Sequence, residues 1–205
     1  MKCLRLAVRH DHIESKLPFR LRQTFPGLPY VKRLLLGRHS RRQSGNQRGY
    51  LKRISGETVN DVNAPLRLQQ LGVGVETTKS SEPADYTELV QVAAIDAAGK
   101  SYEVAGTLIG TAQRPRLVHL LGHLVEVTPQ GILLILRNRD VPGIVGFLGT
   151  VLGKHQVNIA NMSLSRQEPG QTALMVINLD SEPSDSARRE LKGHKAIRLA
   201  KFVLL

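Results

Sequence analysis

Residues 132–164 read ILLILRNRDVPGIVGFLGTVLGKHQVNIANMSL, and this stretch decides the fold of the C-terminal third. Residues 132–137 are an apolar run of strand length. Asp140-Val141-Pro142-Gly143 then signals a helix start, and apolar residues at 144, 148, 151 and 152, with His155 in the last turn, trace one helical face. Asn158 ends that period and residues 159–164 return to strand character. Further on, Glu168-Pro169-Gly170-Gln171 is a turn leading to a second apolar strand over 173–179. Ser184 is a candidate cap for a charged helix over 184–191 that ends at Gly193, and residues 197–204 form a last strand. The order β-α-β-β-α-β within about 75 residues is the split βαβ arrangement of ferredoxin-like domains.

Upstream, residues 57–128 are expected to be β-rich, which makes the chain α+β as a whole. Asn63-Ala64-Pro65 can open a short helix through Gln70, with proline in the first turn where its missing N–H costs nothing, and Gly72 stops it. Strand patterns follow at Val73-Val75-Thr77, at 89–95 and at 101–109, the last two joined by Ala97-Ala98-Gly99-Lys100. Residues 117–120 and 124–127, on either side of Gly122, read as a hairpin.

The chain has 205 residues, one cysteine, eight aromatics and no tryptophan, so its core rests on Val, Leu, Ile and Ala. A lone Cys3 excludes an internal disulfide framework and fits a reducing, cytoplasmic setting. No apolar run approaches the ~18 residues of a membrane-spanning helix. The net charge of +12 is confined to one end: residues 1–56 hold 14 Lys/Arg against 2 acids, whereas residues 57–205 hold 15 of each. That first segment shows no sustained period, and is expected to be a basic extension of low order, foreign to the fold that follows. A nucleic-acid-binding arm and a transit peptide are the alternatives, because Arg-rich, acid-poor sequence suits both. The balanced remainder gives nucleic acid little to bind.

No catalytic set is visible. The glycines of Gly72-Val73-Gly74 and Gly106–Gly110 lack the spacing of a dinucleotide-binding turn. His119 and His123 fall in a strand-like stretch across Gly122 where a four-residue spacing does not converge, so no metal is expected. The polar residues that stand out are Asn138, Asp140 and Asn158. The first two lie where strand becomes helix, beside free N–H groups that attract a carboxylate. Asp140 adds a charge able to hold an ammonium, and Gly143 and Gly146 leave room for a ligand or a neighbouring backbone. The plain alternative is that Asp140 caps the helix and Asn158 sits in a turn.

Residues 137–146 (RNRDVPGIVG) and 152–160 (LGKHQVNIA) resemble the ACT domain of D-3-phosphoglycerate dehydrogenase, with Gln156 standing where the family usually has glycine. The likeness continues upstream in Val62–Pro65 (VNAP), 80–90 (SSEPADYTELV) and 104–110 (VAGTLIG), which look like part of the intervening domain of that enzyme's longer forms. It implies a partial intervening domain over 57–128 and an ACT domain over 131–205. It also implies that L-serine, or a related amino acid, binds between two ACT domains of a homodimer. Carried over, Asp140 would hold the ammonium, Asn158 would reach the ligand from the helix–strand junction, and Asn138, Pro142 and Gly143 would complete the site. Arg116 matches one residue of an anion site found in some members, although Thr128 replaces the second basic residue. The nucleotide-binding and catalytic domains of the family have no counterpart, so neither NAD nor turnover is expected of this chain.

Overall fold

The computed structural model describes residues 33–38, 60, 62–79, 86, 89–96 and 98–205. The expected extension over 1–56 lies outside the described residues apart from 33–38, and so does most of the 80–90 stretch. Two compact units divide between Leu121 and Gly122. No helix among the described residues is long and apolar enough to cross a membrane.

In the first unit, β1 (Arg33–Arg38) lies between β2 (Gly74–Lys79), to which it is parallel, and β3 (Leu89–Ile95), to which it is antiparallel. Next in order come β4 (Ser101–Ile109) and β5 (Arg114–Leu120). The sheet thus draws on a strand well before the boundary read near residue 57. Three leucines are too few to show a parity, and their partners lie roughly 40–60 residues away. Helix α1 (Ala64–Gln70) forms where expected, with proline in its first turn and Gly72 just past its end at φ +69°. Asn63 precedes it without capping it: its Oδ1 accepts from the Asn60 N–H at 2.9 Å. Between β3 and β4 the buried Asp96 organises the turn, accepting from the Ala98 and Lys100 N–H groups and from the Tyr102 hydroxyl. Burial, with Asp96 beside it, pushes the Tyr102 phenol up.

The second unit is the βαββαβ module, entered through β6 (His123–Val127) after the turn at Leu121 and Gly122, both at positive φ as a type I′ turn requires. It comprises β7 (Ile132–Arg139), α2 (Ile144–Lys154), β8 (Ile159–Arg166), β9 (Thr172–Leu179), α3 (Asp185–Gly193) and β10 (Ile197–Leu204). The strand order is β10-β7-β9-β8, all neighbours antiparallel. On one face Leu134, Leu136, Met175, Ile177 and Leu179 pack against Ile144, Leu148, Val151 and Leu152 of α2 and Leu191 of α3. Each fully buried leucine there contributes about 1.5–3 kcal/mol relative to exposure. Leu133, Ile135, Leu174 and Val176 on the opposite face are buried too, which explains why ILLIL runs apolar without alternation. Ser184 caps α3 as read, its Oγ accepting from the Ala187 N–H at 3.2 Å.

Candidate functional site

β7 carries the chain to the N-terminus of α2, and four of the five predicted ligand residues gather there. Asn138 is buried at the strand's end and donates through Nδ2 to the Arg139 carbonyl at 2.7 Å; its Oδ1 meets no partner among the described residues. Pro142 and Gly143 are exposed, and Gly143 takes the N-cap position at φ +87°, a left-handed conformation that glycine adopts without steric cost. With no side chain there, the first-turn amides of α2 receive no side-chain cap. Nothing lies within 4 Å of where a Cβ would stand on Gly143, Gly146, Gly149 or Gly153.

Asp140 does not cap the helix. Its carboxylate turns to the end of β8 and the β8–β9 turn, where Arg166 Nη1 lies 3.1 Å and the Gly170 N–H 3.3 Å from Oδ2. Its backbone N–H donates to the Gln171 carbonyl at 2.7 Å. The sequence marks Gly170 only as a turn residue and gives Arg166 no role. Only the register, which sets Arg166 and Asn138 both opposite Ala173, brings β8's end beside the β7–α2 loop.

Asn158 is elsewhere. Its Nδ2 donates to Asp180 Oδ2 at 2.7 Å, and its carbonyl accepts from the Asp180 N–H at 3.2 Å. Ile159 and Ile132 are both opposite Leu179, so Asn158 is level with the start of β7 while Asp140 lies past its end. At about 3.3 Å per strand residue the two are roughly 30 Å apart. No single amino acid touches both within one copy. Arg116, on β5 of the first unit, donates to the Pro115 carbonyl at 3.0 Å. The Thr128 carbonyl is held by Asn178 at 3.0 Å. Among the described residues, no three His, Cys, Asp or Glu side chains come together as metal ligands.

Two family models match the chain: the D-3-phosphoglycerate dehydrogenase intervening domain over residues 44–121 and the ACT domain over residues 132–195. The chain carries the regulatory part of the D-3-phosphoglycerate dehydrogenase family. The intervening-domain match starts ahead of the boundary read near residue 57. Among relatives, the D-3-phosphoglycerate dehydrogenase of Mycobacterium tuberculosis is 35% identical over 141 residues, 69% of this chain and 27% of that protein. Those of Methanocaldococcus jannaschii and Bacillus subtilis are each 29% identical, over 71% and 76% of this chain and 27% and 29% of their own lengths. The chain thus spans little more than a quarter of the relatives it matches. Within the ACT domain, Gln156 stands at φ +54° in the helix–strand junction, a conformation that glycine adopts without strain.

The two outer strands of the ACT sheet are β10 and β8, and it is β8 that ends beside Asp140. Met162 and Leu164 oppose Ile177 and Met175, so they point to the helix-covered face, yet they are 37% and 42% exposed. Val145 of α2 is exposed as well. An apolar strand edge and a glycine-lined helix thus stand on the module's surface.

Proposed function

We propose that the ACT domain binds an α-amino acid, L-serine foremost, at a site shared by two copies of the chain, and that the chain serves amino-acid-responsive control. The observation that carries this reading is the placement of Asp140 and Asn158 at the two ends of the edge strand. If β8 pairs antiparallel with its own copy about Met162, Asn158 of one chain falls opposite Arg166 of the other. Arg166 is the ion-pair partner of Asp140, so Asp140 and Asn158 of different chains come to one place. Such pairing would also cover Met162 and Leu164 and let the glycine-lined face of α2 approach its equivalent. The α2 amides would take the ligand's carboxylate and Asp140 its ammonium, a match for a zwitterion with its two charges about one bond apart.

The oxidoreductase activity in the relatives' names belongs to whole proteins of which the matched residues make up little more than a quarter. We assign this chain binding without turnover, in a reducing, cytoplasmic setting, and no dinucleotide of its own. Occupancy at a shared site favours one arrangement of the two copies over another, which is what control by a ligand requires. Calorimetry with L-serine, glycine and a panel of other amino acids tests the reading. Saturable heat with L-serine supports it, and the absence of heat with every amino acid rejects it.

A further inference from the structure

The carboxylate assigned to the ligand's ammonium already faces a cation of the same chain. Arg166 Nη1 sits 3.1 Å from Asp140 Oδ2, and both groups belong to the ACT domain. The two side chains differ in how firmly they are held. The Asp140 side chain is 19% exposed and fixed further by the Gly170 N–H, whereas that of Arg166 is 55% exposed on a long flexible stem. A guanidinium in that place cancels the charge that would draw an ammonium.

We propose that Arg166 is a displaceable counter-ion that competes with the ligand's ammonium for Asp140, so that binding releases the end of β8. The proposal rests on the amino-acid reading of the site and adds a residue that sets its affinity. The departing guanidinium returns to water, where it loses little, because an exposed ion pair is weak. The released segment is not isolated. Gln167, the next residue, donates to the Gly122 carbonyl at 3.2 Å at the entry to β6. Two residues before Arg166 the same strand carries Leu164, and one before that Ser163, whose Oγ accepts from the Glu126 N–H at 3.1 Å. Strand β8 therefore links the Asp140 end of the site to β6, and exchange of Arg166 for an ammonium changes what holds that link.

Titration of the full chain with L-serine tests this with Arg166→Gln, Arg166→Lys and Asp140→Asn beside the wild type. An exposed pair corresponds to about two- to fivefold in affinity. Arg166→Gln is expected to bind L-serine tighter by about that factor, while Arg166→Lys, which keeps the charge, stays near the wild type. In nitrogen-15 spectra, the Arg166 Nε–H signal is expected to move on L-serine addition toward its position in Asp140→Asn. L-serine binding unchanged or weakened in Arg166→Gln overturns the competition while leaving the site intact. L-serine failing to bind the wild type and Arg166→Gln alike overturns the site itself and the competition with it.

Discussion

Replacing both Met162 and Leu164 by threonine would remove the apolar surface that the proposed two-fold contact covers, while keeping a residue that suits a strand. Met162 is 37% exposed and Leu164 42%, so about 0.4 of each side chain remains to be buried. Full burial of such a side chain is worth about 1.5–3 kcal/mol, which leaves about 0.6–1.2 kcal/mol for each. The symmetry axis counts both residues twice, giving about 2.5–5 kcal/mol per dimer, or roughly two to three and a half orders of magnitude in the dimer dissociation constant. Sedimentation velocity over a range of concentrations measures that constant. Far-ultraviolet circular dichroism checks that the variant keeps its fold, as it should, because both side chains are partly in water already. A dissociation constant within about threefold of the wild type would refute the assignment of β8 as the contact.

Other outcomes follow from single residues. Asp140→Asn and Asn158→Ala should each weaken L-serine binding in calorimetry by about 10- to 100-fold, the range for losing a hydrogen bond to a charged group. Gln156→Gly should raise stability to urea by about 0.5–1 kcal/mol, the left-handed strain of a side chain at φ +54° less the added freedom of glycine when unfolded. Glu190 receives bonds from His155 and Lys154, which hold its carboxyl below the usual 4.5. Its contribution is therefore complete above that unfolded value and is lost as pH falls through the lower, folded one. A Glu190→Gln variant should show a shallower loss of stability with acidification than the wild type in denaturation curves.

The ACT module was legible because its signals are local. The apolar run at 132–136, the spacing at 144, 148, 151 and 152, and the Ser184 cap each depend on neighbours within a few residues, and each appears where expected. β1 was not legible, since Leu34-Leu35-Leu36 makes a strand only through pairing with β2 and β3 far along the chain. The site divides in the same way. Pro142 and Gly143 announce the helix start from sequence alone, whereas Arg166 meets Asp140 only because the register places β8's end beside it. The separation of Asp140 from Asn158, roughly 30 Å at about 3.3 Å per residue, is likewise a property of the sheet. Motif spacing shows that both residues are present, and only the register shows that one copy cannot bring them together.

Mixing the Asp140→Asn and Asn158→Ala chains tests the shared site most directly. In a mixed dimer, one site takes Asp140 from the Asn158→Ala chain and Asn158 from the Asp140→Asn chain, so it regains both residues. Random pairing of equal amounts makes about half of the dimers mixed, with one restored site in each, so about a quarter of all sites should recover. Calorimetry of the refolded mixture with L-serine is predicted to show that quarter at wild-type affinity, although neither variant alone has any. No recovery in a mixture shown to contain mixed dimers would contradict a site built from two copies.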